Sequence, residues 1–156
     1  MWVCRAGKNA KYIDYYLETS KIYMPWLGFD CDLSLLANRA EFRRIVAEEM
    51  ETDNRTSISN WSGQLLSFCN EMELQDYVII PHAFSHNYTL GRVTGKYAYS
   101  KFDKYGLHHS REIEIIKKVP REIFSQAMQY SLGAYRSLFR AKNEDMLLSR
   151  IMEYHE

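Results

Sequence analysis

The sequence predicts an α+β fold, with a small antiparallel β-barrel decorated by helices. The first half of the chain alternates short strands with helical spacings, whereas the second half, from Tyr77, is rich in β-branched and aromatic residues. This order of elements differs from the regular βαβ alternation of a parallel sheet. With 156 residues, 46% of them apolar and only 3 prolines, the chain can bury the core of one domain.

Two strands and a helix are predicted in the first 26 residues. Residues 2–6 and 22–26 are short apolar runs followed by Gly7 and Gly28, which is typical of buried strands. Between them the spacing of apolar residues predicts a helix that contains Tyr12, Ile13, Tyr16 and Leu17.

Two further helices are predicted between residues 38 and 72. Asn38 with Glu41 resembles a capping box and precedes one apolar face. The next helix is predicted to begin near Ser59 or Asn60, because apolar residues from Trp61 onward recur at spacings of three and four.

In the second half of the chain the sequence predicts strands first and helices later. Residues 77–81 and 88–100 read as antiparallel strands, and glycines at 91 and 95 would let the longer one bend to close a barrel. Residues 112–115 alternate between Glu and Ile, which predicts a half-buried strand. A helix over 120–130, a strand over 135–140 and a helix capped by Asn143 complete the chain. We expect residues 1–142 to form the domain, and 143–156 to be a C-terminal helix that packs on it or leads to a partner or further domain.

Composition excludes several classes of protein. No apolar run approaches about 18 residues and no basic and apolar leader follows Met1, so we expect a cytoplasmic protein without membrane spans. Three cysteines, none in a Cys-x-x-Cys pair, indicate buried thiols. His82 and His86 lack companion ligands, and no nucleophile with a base, nuclease signature or phosphate loop stands out. The sequence therefore predicts a binding module rather than an enzyme, without metal or cofactor.

Basic side chains are concentrated in one segment, although the net charge of the chain is zero. Between Tyr88 and Lys142 there are 11 Lys and Arg against 4 Asp and Glu, which could follow a phosphate backbone or form an ordinary solvated surface. The predicted phosphate contacts are Arg92, Lys96, Lys101, Lys104 and Arg111.

Four short stretches carry a resemblance to known proteins: residues 2–7 (WVCRAG), 59–64 (SNWSGQ), 72–78 (MELQDYV) and 90–97 (LGRVTGKY). On these stretches the chain resembles the PUA-like superfamily, and within it the EVE-type domain found at the N-terminus of Mrr-like restriction proteins. The resemblance covers the chain to about Arg140. It implies a barrel with a pocket for a flipped, often methylated base. One departure is the run from Arg5 to Lys8 (RAGK), where the EVE type carries a Lys-Ser-Glu-Pro-like run, and this bears on the base chemistry of the pocket.

The resemblance places four residues around that pocket: Asn60 and Trp61 at the start of a helix, Arg5 at the end of the first strand, and Trp26 as a second aromatic wall. Each has a structural alternative. Trp61 and Trp26 could be core aromatics, Asn60 could be only a helix N-cap, and Arg5 could pair with an acid.

The expected function is recognition of a modified base in DNA, or in RNA, by base flipping, to target a restriction or antiviral defence nuclease. The alternative is a protein-interaction or oligomerisation domain of a defence system, including a homodimer, that docks through the terminal helix. A small enzyme on the same scaffold is the third reading.

Overall fold

The computed structural model describes residues 1–156 and consists of a seven-stranded sheet curled into a half-barrel, with five helices. The strands are β1 (Trp2–Cys4), β2 (Lys21–Tyr23), β3 (Tyr77–Pro81), β4 (Asn87–Val93), β5 (Ala98–Tyr99), β6 (His109–Pro120) and β7 (Leu138–Arg140). The helices are α1 (Ile13–Thr19), α2 (Arg39–Glu49), α3 (Arg55–Leu66), α4 (Gln126–Leu132) and α5 (Glu144–Glu153). None of the helices combines the length and apolar character that a bilayer crossing requires.

The sheet runs in the order β2-β6-β4-β3-β1-β7, with β5 also paired to β6. All neighbours are antiparallel except β1 and β3, which are parallel. The first part of β6 pairs with β2 and β5, and the rest pairs with β4, so this long strand carries the curl from one part of the sheet to the other. The predicted α+β class is confirmed.

Two glycines allow β6 to approach the end of β4 closely. A Cβ atom on Gly95 would lie 2.9 Å from the Cβ of Glu112, and one on Gly91 would lie 3.1 Å from the carbonyl oxygen of Glu114. The β4–β6 register shifts between Leu90 and Gly91, and beyond the shift Ile115 is 39% exposed. The prediction of one strand over 88–100 is wrong, because the chain leaves the ladder after β4 and pairs again only at β5.

Apolar side chains fill both faces of the sheet. Along β1, Trp2 and Cys4 belong to a cluster of 20 buried residues that also takes in side chains of α1, α2 and α3. Val3 points to the opposite face, where a cluster of 11 buried residues includes side chains of α4 and α5. The sheet is therefore the middle of three layers. Leu147 and Ile151 of α5 are buried in this second cluster.

His109 is a buried histidine at the start of β6. Its side chain is hydrogen-bonded on both ring nitrogens, with Nε2 2.8 Å from the carbonyl oxygen of Phe29 and Nδ1 2.6 Å from the hydroxyl of Tyr97. Because a carbonyl can only accept, Nε2 carries the proton and Nδ1 accepts from Tyr97. Burial lowers the pKa of His109 to about 4, so the ring is neutral near pH 7.

Stability is expected to fall as the pH drops from about 6.5 to about 4. In this range His109 is protonated in the unfolded chain but not in the folded protein, so unfolding takes up a proton. Above about pH 6.5 the ring is neutral in both states, and the free energy of unfolding no longer depends on pH through this group. The free energy of unfolding should fall by about 1.4 kcal/mol per pH unit from this one group. Urea unfolding at several pH values measures how the free energy of unfolding depends on pH. Between about pH 4 and 6.5 this dependence should be weaker in His109→Gln by the amount that corresponds to one proton. An unchanged slope in His109→Gln would contradict the assignment.

Candidate functional site

A groove of about 740 Å³ lies between α3 and the strands β1 and β7, and we call it the α3–β7 groove. Most of its lining is polar. The lining residues are Trp2, Thr56, Ser57, Ser59, Asn60, Trp61, Gly63, Gln64, Ser67, Glu71, Arg136, Leu138, Phe139 and Arg140.

One wall of the groove is a face of α3 and of the π-helical turn (Ser67–Glu71) that follows it. The helix begins at Arg55, where the side chain of Asn54 caps it by accepting from the backbone N–H of Ser57. The prediction that this helix begins near Ser59 or Asn60 is wrong, because the earlier Asn54 supplies the cap. Asn60 therefore lies within the helix, and the reading of it as the N-cap is excluded.

Asn60 is held by a second amide one helical turn later. Gln64 is buried, and its Oε1 accepts from the backbone N–H of Leu138 in β7 at 3.0 Å. Its Nε2 donates to Oδ1 of Asn60 at 3.4 Å. This relay ties α3 to β7, while the exposed side-chain nitrogen of Asn60 makes no hydrogen bond within the protein.

Trp61 stands beside Asn60 and is half-buried. Its ring packs against Trp26, with centroids 4.2 Å apart and planes inclined by 40°. Trp26 donates from Nε1 to the hydroxyl of Ser137 at 3.0 Å and supports Trp61 without lining the groove itself. Trp61 thus both packs against the core and borders the groove, so the two readings of it are compatible.

The opposite wall is cationic. Arg136 and Arg140 are exposed and make no ion pair, and the guanidinium of Arg140 lies 4.1 Å from the ring centroid of Trp2. Glu71 is the one acidic residue of the lining. The groove can therefore hold a ligand that offers a planar ring, hydrogen-bonding edges and negative charge.

Arg5 lies behind the cationic wall rather than in it. It pairs with no acid; its Nη1 donates to the carbonyl oxygen of Ala134 at 3.4 Å, and its backbone N–H donates to the carbonyl oxygen of Ser137 at 2.9 Å. Arg5 thus contacts the segment that carries Arg136. Of the four predicted pocket residues, Asn60 and Trp61 line the groove, and Trp26 and Arg5 support it.

Arg111 was expected to contact phosphate, and the structure corrects this. The side chain is 3% exposed and donates to three backbone carbonyls, those of Gly95 (3.0 Å), Phe68 (3.1 Å) and Met72 (2.5 Å). These bonds fix the end of the π-helical turn against β6. A buried guanidinium with its donors engaged in this way has no access to a nucleic-acid backbone.

The other four predicted phosphate contacts lie outside the groove. Arg92 stacks on the ring of Tyr77, 4.3 Å from its centroid, and donates to the Tyr77 hydroxyl. Lys96 is exposed between β4 and β5, and Lys101 and Lys104 are exposed between β5 and β6. The cations that line the groove are instead the two arginines at β7.

The histidines are not grouped with other residues that could bind a metal ion. His82 bonds Thr89 at 2.7 Å, and no group of three or more His, Cys, Asp or Glu side chains is placed to bind an ion. His108 and His109 contact different partners, since His108 bonds the carbonyl oxygen of Ser100.

Sequence reasoning missed several groove residues, chiefly Gln64, Arg136, Arg140 and Trp2. For Gln64 a signal was present, because it follows Asn60 by four positions and so shares its helix face. The arginines lay within the basic segment, but nothing local singled them out from nine other basic residues.

No match was found among curated proteins or among solved structures. Residues 2–139 match a protein family. This span contains the whole α3 wall of the groove, Trp2, and all of β7 except its last residue. Since this match covers most of the chain, the protein belongs to the family described as Domain of unknown function (DUF8426).

Proposed function

We propose that this protein is a non-catalytic nucleic-acid-binding module of PUA-like, EVE-type fold that receives an extruded, modified base in the α3–β7 groove. In the cytoplasm it would guide an effector such as a restriction or defence nuclease to modified DNA, or to RNA. One observation carries the proposal: an aromatic ring, an amide and two unpaired arginines line one groove, although they come from distant parts of the chain.

The base end of the groove consists of Trp61 and Asn60. A nucleobase presents a π face to an aromatic ring, and stacking contributes about 1–3 kcal/mol per base. Its Watson–Crick edge carries donors and acceptors that a carboxamide can match. Gln64, itself held by β7, orients the carboxamide of Asn60 through a long hydrogen bond before any ligand arrives, which lowers the entropy cost of binding.

The phosphate end consists of Arg136 and Arg140. Guanidinium groups bind phosphate oxygens in a bidentate manner, and neither arginine has an acidic partner to lose. A groove of about 740 Å³ is within the usual size range of small-molecule sites and can admit a nucleotide.

The PUA-like assignment has support of two kinds. The curled half-barrel with its close approach at Gly91 and Gly95 suits a small barrel fold. The stretch at residues 59–64, part of the resemblance, forms the wall that carries Asn60 and Trp61.

The competing proposal is docking through the terminal helix α5, whose exposed apolar side chains are Met146 and Met152. Its Leu147 and Ile151 are already covered by the protein's own second core cluster. We therefore favour base recognition.

The test is fluorescence anisotropy with labelled short strands and duplexes, unmodified or carrying N6-methyladenine, 5-methylcytosine or 5-hydroxymethylcytosine, at several salt concentrations. We expect tighter binding to one modification, with a negative salt slope. Trp61→Leu should lower the affinity for that strand about thirtyfold, because it removes a π face worth about 2 kcal/mol. Trp61→Phe keeps a π face and should lose only a few-fold.

Both variants keep an apolar side chain against Trp26, so thermal unfolding should show that each remains folded. Equal binding of all strands by the wild type would contradict base recognition. So would equal affinities of the leucine and phenylalanine variants.

A further inference from the structure

We infer that the nucleic acid continues from the groove as a single strand over a second surface, where its bases stack on aromatic rings flanked by lysines. This inference rests on the proposed function. The lysine–aromatic surface consists of Lys11, Tyr12, Lys101, Phe102, Lys104 and Tyr105, and it combines the start of α1 with the turn between β5 and β6.

The surface has a defined shape because the turn packs on α1. The ring of Tyr105 lies 5.7 Å from that of Tyr12 and 4.8 Å from that of Tyr15, between ring centroids. The hydroxyl of Tyr15 donates to Asp103 at 2.7 Å and holds the turn in place. A depression of about 250 Å³ lies between these three tyrosines, and Lys11 and Asp14 also line it.

Each of the three rings, of which Phe102 and Tyr105 are exposed and Tyr12 is half-buried, has an ammonium group near it. Lys11, Lys101 and Lys104 lie over Tyr12, Phe102 and Tyr105, with nitrogen to centroid distances of 5.3, 6.0 and 5.2 Å. Exposed aromatic rings interleaved with cations are the arrangement that proteins use for unpaired bases and their phosphates.

Two features show that Phe102 and the three lysines are not needed for the fold. Phe102 is 89% exposed, so its ring contributes almost nothing to the core. None of the three lysines makes an ion pair, and the carboxylate of Asp103 is engaged by Tyr15 and by backbone N–H groups of its own turn. The ammonium groups are therefore free to meet phosphate.

The surface adjoins the groove through one short loop. Trp26 packs on Trp61 at the groove, and its neighbour Leu27 reaches the turn, 3.6 Å from where a Cβ atom on Gly106 would lie. On the other side, Arg5 contacts the segment of Arg136, and Lys8 and Lys11 follow it along the chain toward α1. The chain that leaves β1 thus runs from the segment of Arg136 to the lysine–aromatic surface.

Single-stranded rather than duplex nucleic acid fits this surface, because the rings stack only on bases whose faces are free. The probe is labelled oligothymidine of about 4 and about 16 nucleotides, since one site of this type covers about 4–16 nucleotides. Wild-type protein is expected to bind the longer strand at least tenfold more tightly.

The variant Lys101→Gln/Lys104→Gln should bind the long strand about tenfold more weakly and reduce the salt slope by about 1.4, because two phosphate contacts are lost. Phe102→Ala should weaken the same strand several-fold through lost stacking. Binding of the short strand, and the preference for a modified base, should stay at the wild-type level in both.

The matched control is Lys118→Gln/Lys142→Gln, which removes two exposed lysines elsewhere on the protein. Unchanged long-strand affinity in the first double variant and in Phe102→Ala would overturn the inference, as would an equal loss in the control. If instead the proposed function is wrong, the wild-type protein will show no preference for modified bases, which is a different result.

Discussion

Replacing Arg111 with methionine is expected to lower the free energy of unfolding by about 4 kcal/mol, a large share of the stability of a domain of this size. The substitution removes three hydrogen bonds from a charged donor, each worth about 1.5–3 kcal/mol. It also leaves the carbonyls of Phe68 and Met72 without this donor in a buried setting. Methionine retains an apolar stem, so the loss reports the hydrogen bonds rather than a cavity.

Urea unfolding followed by circular dichroism measures this effect. Arg39→Met, on the exposed side of α2, is the matched control and should change stability by less than about 0.5 kcal/mol. A loss below about 1 kcal/mol at Arg111 would show that the three bonds do not fix the π-helical turn.

Filling the groove at Gly63 is expected to abolish nucleic-acid binding while leaving the protein folded. Gly63 lies in α3 on the groove wall, and a Cβ atom there would meet no atom within 4 Å. In Gly63→Phe the ring projects into the space that the base would occupy, so affinity for the preferred modified strand should fall at least a hundredfold. Helix stability should rise slightly, because glycine is the poorer helix former by about 0.5 kcal/mol.

The small variant Gly63→Ala separates occlusion from any change in the helix. It raises helix propensity further but leaves the groove open, so its affinity should match that of the wild type. Anisotropy titrations together with thermal melts of both variants would decide the matter. Binding by Gly63→Phe at the wild-type level would place the ligand elsewhere.

Local patterns predicted local structure well. The Asn38 side chain accepts from the backbone N–H of Glu41 as the capping box predicts, and apolar spacing located α1 and α2. The start of α3 was missed because its first six residues are almost all polar and carry no periodicity, so only the cap at Asn54 marks it. The end of β4 at Val93 was missed because it depends on the close approach of β6 to Gly95, a tertiary contact that the local sequence does not show.

The burial of Arg111 could have been predicted from the alternation of residues along β6. It is two positions before Ile113, so it shares the buried face of β6, and period-two reading alone places it inward. Composition suggested a phosphate ligand because counting charges ignores which face each residue occupies. The cationic wall of the groove could not be predicted from local sequence patterns. The helix α3 and the strand β7 are about 75 residues apart, and only the tertiary fold brings them together.

The position of β1 in the sheet has a consequence for the order of events during synthesis. This N-terminal strand pairs with β3 on one side and with β7 on the other, so Trp2 is registered with both Val78 and Arg140. The ladder between β1 and β7 cannot form until residue 140 has left the ribosome, and pairing across such separations is slow. Trp2 and Arg140 also form one side of the groove, so the binding site is completed only after residue 140 has been translated.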